Sequence, residues 1–440
     1  MIEKRGVYFN LLACIITYGC KQNENDSENI KGVLNEIGYS FTDEISEADL
    51  IIFNTCAVRE GAEDRLFGNV GALKHLKKNK NLIIGICGCM TQQEEVADKI
   101  KKSFPHVDFV CGTNKIHLIP SILENVKKER VFEITPDDSV YDELPMVNQS
   151  KSIANVSIMY GCNNFCTYCI VPFVRGRERS RDFKKIIREV SQLIENGYKE
   201  IILLGQNVNS YRDADKSFSD LLYAVNDIKG KFRVRFISSH PKDFSDELIY
   251  AIKNCEKICR QLHLPFQSGS DKILRDMNRK YTSADYLEII GKVKSEIPGI
   301  SLSSDVIVGF PTETNEDFRR TVELIEEVRF DTLFTFIYSP RRKTAAEKMK
   351  PVLGRQQIKD NFSVLLRAQE KISLEKNEEL LGKTVEVLVE GPSKTDANML
   401  TGKTDCGKTV NFKASPELAD RFANVEIFSV NTWSMLGKLV

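Results

Sequence analysis

Short apolar runs that alternate with helix-spaced stretches decide what this chain can become: strands buried on both faces, with helices laid over them. Between Ala13 and about Lys128 the runs fall at residues 15–18, 50–53, 82–86 and 107–110. The helical stretches fall at 26–37, 58–76 and 92–100. This order predicts an α/β domain built on a doubly wound parallel sheet, residues 13–130. Residues 131–152 are acidic, carry two prolines, lack periodicity and read as a linker.

The alternation resumes at Ile153. Strands are expected at 155–160, 200–204, 234–238, 258–264, 301–308 and 332–337, and helices at 183–195, 218–228, 246–254, 283–296 and 316–328. Six βα units in series predict a partial (β/α)6 barrel whose active site lies at the carboxyl ends of its strands. A charged helix over 354–381 completes a domain spanning 153–380. Runs at 384–389, 409–412 and 425–430, punctuated by Gly391, Pro392, Gly402 and Gly407, predict a small all-β module over 381–440.

Composition narrows the function. No apolar run reaches the roughly 18 residues that span a bilayer, and the first ten residues lack a signal pattern. A cytoplasmic protein with no membrane partner is expected. The net charge of zero gives no global attraction to nucleic acid, so such a partner has to be argued from local patches. Twelve cysteines in a reducing compartment point to metal or redox chemistry rather than disulfides.

Cys162, Cys166 and Cys169 have the spacing Cys-x3-Cys-x2-Cys and follow the first strand of the second segment. Three thiolates in one loop can hold three corners of a 4Fe–4S cluster and leave the fourth iron open. A zinc loop would need a fourth ligand, and the nearest downstream histidine is His240. In the first segment Cys20, Cys56 and Cys89 each end a predicted strand and precede a helix. Strand ends of an open parallel sheet converge on one crevice, and helix N-termini favour thiolates. A second three-thiolate site is therefore expected. Cys87, two residues from Cys89, is its rival, since strand alternation keeps the two on one face. Cys14, Cys111, Cys255, Cys259 and Cys406 read as structural.

The triplet, with Tyr168 before its last cysteine, resembles that of the radical S-adenosylmethionine superfamily. With Tyr18-Gly-Cys20, Asn54-Thr-Cys56 and Gly88-Cys-Met90 added, nearly the whole chain resembles the methylthiotransferase family, whose tail is an OB-like β module called TRAM. The stretches 166–181 and 204–211 resemble the tRNA-modifying MiaB type most. The resemblance implies two 4Fe–4S clusters and S-adenosylmethionine as cofactors. It implies transfer of a methylthio group to carbon 2 of isopentenyladenosine beside the anticodon of tRNA. Cofactor contacts are implied for Tyr168, Gln206, Asn207, Ser239, Gln267 and Asp305. A flavodoxin- or ferredoxin-type reductant, a sulfur donor and a monomeric enzyme are implied as well. The same chemistry on threonylcarbamoyladenosine in tRNA or on a ribosomal-protein aspartate is the alternative. A non-catalytic iron–sulfur RNA-binding protein is the alternative of another class.

Two basic runs suit RNA phosphate. One contains Arg175 and Arg177, the other Arg341 and Arg342. In the tail, Phe412, Phe422, Phe428 and Trp433 read as core rather than as base-stacking platforms.

Overall fold

The computed structural model describes residues 11–58, 61–137, 139, 144–394 and 396–440. Two compact units emerge. Of the described residues, one holds those up to Gln149 with Tyr160–Asn163 and Ile170–Arg179; the other holds Ser150–Met159, Asn164–Cys169 and those from Ser180 to Val440. Among the described residues no helix is long and apolar enough to cross a membrane.

The first unit is built on a six-stranded parallel sheet of β1 (Leu11–Tyr18), β2 (Tyr39–Phe41), β3 (Leu50–Thr55), β4 (Ile83–Gly88), β5 (Phe109–Cys111) and β6 (Val131–Glu133). Its order is β2-β1-β3-β4-β5-β6. Every residue of β3 is buried, as a central parallel strand requires. Ile51, Phe53, Ile84 and Ile86 pack with Leu66 and Val70 on one face. Leu50, Ile52 and Ala13 pack with Ile30, Leu34 and Ile119 on the other. The sheet is thus doubly wound, as expected. The order reverses between β1 and β3, the kind of switch point where ligands bind.

The stretch expected as a linker corrects that reading at both ends. Val131–Glu133 is the edge strand β6, paired with β5. Farther on, the N–H groups of Val147 and Gln149 donate to the Glu28 carbonyl and carboxylate, each at 3.0 Å. The helix Lys21–Glu36 is consequently buried along much of its polar sequence as well as its apolar stripe.

In the second unit, strands Ile153–Ser157, Glu200–Leu204 and Arg233–Phe236 pair in parallel, as do Gln261–His263, Ser301–Val308 and Thr332–Ile337. A bridge between Val234 and Ile258 joins the two groups. The result is the predicted six-stranded open barrel. Helices Phe183–Glu195, Phe218–Asn226, Asp246–Asn254, Ser283–Glu296 and Asn315–Val328 cover it. Their starts are set locally: Ser217, Thr282 and Thr314 form capping boxes, which satisfy amide donors that a helix cannot pair itself. One continuous core runs through strands and helices.

The tail is a closed five-stranded barrel of Thr384–Pro392, Leu400–Thr404, Thr409–Lys413, Phe422–Val430 and Met435–Leu439. Leu400–Thr404 and Met435–Leu439 were not expected from the sequence. The floor of the open barrel is latched to this module. Arg233 donates to the Lys403 carbonyl (3.0 Å) and Arg235 to the Asp405 carbonyl (2.7 Å), while Glu200 pairs with both arginines.

Candidate functional site

Cys20 follows β1 and caps the helix Lys21–Glu36, Cys56 follows β3, and Cys89 follows β4. The fold brings these three thiols together. The Cys20 and Cys56 side chains hydrogen-bond to each other, which is the largest influence on both: it holds the Cys20 thiol down, to about 6, and pushes Cys56 up. Arg175 and the backbone N–H groups of Gln22 and Asn23 add to the depression at Cys20, while burial opposes it. Burial raises Cys89 to about 11, against the pull of Arg175. Donors and a helix N-terminus aimed at thiolates suit an anionic iron–sulfur group.

A polar frame holds the strand ends in place. Asn54 donates to the Asn23 carbonyl and to Ser27 Oγ, each at 2.8 Å, and Asn23 donates to Asn54 Oδ1 at 3.0 Å. Thr55 donates to the Cys87 carbonyl at 2.9 Å. The sequence motif Asn54-Thr-Cys56 therefore supplies the frame as well as the thiol. Asn23 was not singled out in the sequence, because its partner lies 31 residues away.

The structure separates Cys87 from Cys89. Gly88 takes φ 101° and ψ −170°, a conformation open only to glycine, and this breaks the strand alternation. Cys87 packs in the core with Phe109 and Cys111. Cys89 sits with Ile170 and Val174 and interacts with Cys20 and Cys56.

Arg175 corrects the expectation of a phosphate contact. It is only 6% exposed. Its Nη2 lies 2.7 Å from Asp26 Oδ2 and its Nε 3.0 Å from Cys89 Sγ. The partners at Asp26 and Cys89 draw the guanidinium inward.

In the triplet loop, Gly161 turns the chain at φ 73° where a Cβ would meet the Arg177 carbonyl oxygen at 2.0 Å. Cys162 follows, its N–H donating to the Gly176 carbonyl at 3.2 Å. Cys166 and Cys169 are joined by a backbone bond of 2.9 Å. Residues 276–279 brace them. Thr167 donates to the Asp276 carbonyl (2.8 Å) and Asn278 to the Phe165 carbonyl (3.0 Å). Tyr168 packs with Ile273, Met277 and Phe310. The buried Arg279 places Nη1 3.5 Å from Cys166 Sγ, and donates to Tyr281 Oη and the Pro265 carbonyl, each at 2.8 Å. Arg279 and Tyr281 were missed in the sequence, being more than a hundred residues from the triplet.

Among the described residues, no three His, Cys, Asp or Glu side chains converge tightly enough for one metal ion. A 4Fe–4S cluster does not require that, because each thiolate takes a different iron.

The strand ends carry unpaired polar atoms. Asn207 Oδ1, Asn209 Oδ1, Ser239 Oγ and His240 Nε2 are buried without a partner. They follow the strands Glu200–Leu204 and Arg233–Phe236. Buried orphans of this kind are costly unless a ligand completes them. A polar, zwitterionic nucleoside cofactor fits that need. Asn207 is fixed by a 2.7 Å bond to Asp243 Oδ2, and His240 Nδ1 accepts from the Lys242 N–H. Burial, then Arg279 and Lys242, depress His240 to about 2, so its ring is neutral. Gln206 is half-buried at the same strand end. Gln267 adopts φ 69° and bridges by its backbone to Asp305 and Ile307. Asp305 lies 3.6 Å from His263.

On the last barrel strand Leu333 enters the core, so Phe334 and Phe336 project from the opposite face. They are 50% and 52% exposed, and Phe334 meets His263 edge-on at 5.6 Å. Of the other expected RNA contacts, Arg177 and Arg342 are exposed and Arg341 leans on Ser339 Oγ at 2.6 Å. In the tail Phe412 is core, as read. Phe428 and Trp433 are not: they are 62% and 65% exposed.

The open six-stranded barrel, the triplet at the end of its first strand and the small β-barrel define a class of protein. Family models agree: the Radical SAM superfamily matches residues 156–325 and the TRAM domain residues 378–440. A third, Uncharacterized protein family UPF0004, matches 13–112. Among solved structures, the radical S-adenosylmethionine methyltransferase TsrM from Kitasatospora setae shares the fold at 13% identity, with a TM-score of 0.57 over 77% of each chain. The radical enzyme OxsB does so at 12% identity and a TM-score of 0.51, over 83% of this chain and 56% of that one. A tRNA-2-methylthio-N(6)-dimethylallyladenosine synthase of Clostridium perfringens (strain SM101 / Type A) is 52% identical over 98% of both chains. One of Thermoanaerobacter pseudethanolicus is 51% identical over 98% of this chain and 93% of that one. The chain belongs to the tRNA-2-methylthio-N(6)-dimethylallyladenosine synthase family.

Proposed function

We propose that this chain adds a methylthio group to carbon 2 of N6-dimethylallyladenosine beside the anticodon of tRNA, using S-adenosylmethionine and two 4Fe–4S clusters. Cys162, Cys166 and Cys169 hold one cluster; Cys20, Cys56 and Cys89 hold the other. The observation that carries the second cluster is the meeting of three cysteines from three separate strand ends, in a chain that also bears the radical triplet. When bound, the triplet's cluster and S-adenosylmethionine supply a hydrogen-abstracting radical, the chemistry that an unactivated carbon–hydrogen bond demands.

The residues divide the remaining work. Asn207, Ser239 and the neutral His240 offer their buried polar atoms to S-adenosylmethionine, with Tyr168, Gln206, Gln267 and Asp305 around it. Arg279 steadies Cys166. Arg177, Arg341 and Arg342 meet tRNA phosphate. Domains of 13–149, 153–380 and 381–440 accompany this division, the first running past the expected limit of 130 to take in β6 and the segment up to Gln149. A flavodoxin- or ferredoxin-type reductant and a sulfur donor complete the reaction, carried out by a monomer in the cytoplasm.

Two measurements test the reading. Anaerobic reconstitution should give about eight irons per chain; about four would overturn the second cluster. Mass spectrometry of tRNA nucleosides from a deletion strain should show loss of the methylthio-dimethylallyl nucleoside. Its persistence, with loss of methylthio-threonylcarbamoyladenosine instead, would move the substrate.

A further inference from the structure

We propose that Arg175 is a positioning residue for the cluster held by Cys20, Cys56 and Cys89: its guanidinium donates to the Cys89 thiolate and raises the reduction potential of that cluster, with Asp26 holding it in aim. This inference rests on the two-cluster reading.

The sequence places Arg175 in a basic run, yet the fold withdraws it from water. Arg175 and Asp26 are 6% and 5% exposed, and the apolar side chains of Ile170 and Val174 pack beside Cys89. A buried ion pair by itself stabilises a fold little better than apolar side chains of the same volume. The pair's geometry shows a second use. Nη2 is spent on Asp26 at 2.7 Å, and this turns Nε onto Cys89 Sγ at 3.0 Å. A hydrogen bond to a ligating sulfur and a nearby cation both favour the more negative, reduced cluster. Asp26 acts in two opposed ways. It fixes the fork, and its charge offsets part of the cation's effect.

Arg279 shows the contrast at the other trio. It reaches Cys166 Sγ at 3.5 Å, but its other bonds go to the neutral Tyr281 hydroxyl and Pro265 carbonyl. The arginine at Cys89 is thus the one with a carboxylate partner, and the carboxylate provides a handle for testing it.

The test uses the full chain with Cys162, Cys166 and Cys169 all changed to Ala, so that only the Cys20 trio can load, and reads the midpoint by EPR-monitored redox titration. With Arg175→Gln the midpoint should shift to more negative potential. With Asp26→Asn, whose amide oxygen can still accept the Nη2–H while the negative charge is removed, it should shift to more positive potential. Should Arg175→Gln not retain iron, Arg175→Lys, which keeps the cation but not the aimed Nε–H, takes its place and should also shift the midpoint to more negative potential. Iron loaded with the midpoint of the Arg175 variant unmoved or more positive overturns the inference. A triple variant that loads no iron overturns the two-cluster reading and this inference together.

Discussion

A Cβ placed on Gly88 would lie 2.4 Å from the carbonyl oxygen of Thr55. Backbone cannot yield as a flexible side chain can. The residue also sits at φ 101° and ψ −170°, a conformation that costs a side-chain-bearing residue on the order of 1–3 kcal/mol before any clash. Gly88→Ala should therefore lower the melting temperature of the apo chain. It should also swing Cys89 away from Cys20 and Cys56. On the proposed two-cluster function, iron per reconstituted chain should fall from about eight to about four, with S-adenosylmethionine cleavage retained. A variant that keeps full iron would show that Gly88 does not aim Cys89.

That position also marks where the sequence stops being legible. Apolar runs and period-3.6 patterns located Glu200–Leu204, Ser301–Val308, Phe183–Glu195 and Ser283–Glu296 at their observed bounds because each buries a strong apolar set; Thr332–Ile337 was located by its apolar run, although only Leu333 of it is buried. The expected helix over 58–76 is instead two, Ala62–Ala72 and Lys74–Asn79. β6, only Val131-Phe-Glu133, is too short to show a period. Leu400–Thr404 and Met435–Leu439 carry glycine and lysine, and owe their pairing to barrel closure. The cysteines at strand ends could be read from topology. Cys89 was preferred to Cys87 only as the one nearer the strand end; the physical reason is the φ of one glycine, and the Arg175–Asp26 pair joins residues 149 apart.

His240 and Glu313 should impose opposite pH slopes on the stability of the apo chain. Burial holds His240 at about 2, below its ordinary 6.5. The unfolded chain then binds a proton that the native chain refuses, so stability falls as pH drops below 6.5. Burial raises Glu313 to about 7 from 4.5, although it accepts the Gly309 N–H. Here the native chain keeps a proton that the unfolded chain has lost, so stability falls as pH rises from 4.5 through 7. Each slope is about 1.4 kcal/mol per pH unit, and between pH 5 and 6.5 they oppose one another. His240→Asn should leave melting temperatures that fall as pH rises across that window; Glu313→Gln should leave them rising. Parallel melting profiles for the two variants would refute the assignment.

Phe334 and Phe336 stand half-exposed on the face opposite the core, beside His263. Large apolar side chains left open to water next to a site suit an apolar part of a substrate. On the proposed function the dimethylallyl group is that apolar part. Removing either ring should weaken capture of that group by roughly tenfold, a side-chain burial of about 1.5 kcal/mol. Phe334→Ala and Phe336→Ala should thus raise KM for prenylated tRNA, with S-adenosylmethionine cleavage in the absence of tRNA unchanged. Equal losses on both measures would mean that the rings serve the fold.

Phe428 and Trp433 belong to one hairpin of the tail, Phe422–Val430 with Met435–Leu439, and each is more than 60% exposed. Val425, Ile427 and Met435 fill the barrel core from the same hairpin, so the two rings are surplus to packing. The register shift between Ile427 and Ser429 is a bulge, which re-aims the side chain it carries, here Phe428. Trp433 follows Asn431, whose Oδ1 accepts the N–H groups of Trp433 and Ser434 at 3.0 and 2.9 Å; the turn is held rigid while its indole stays in water. A rigid, exposed ring is suited to stacking on an unpaired base, worth about 1–3 kcal/mol per base. Trp433→Ala should weaken tRNA binding some ten- to hundredfold in a filter or gel-shift titration. Its melting temperature and iron content should match the parent, since nothing buried is lost. Unchanged tRNA affinity would leave binding to the arginines, and a lowered melting temperature would return Trp433 to the structural role that its sequence context suggested.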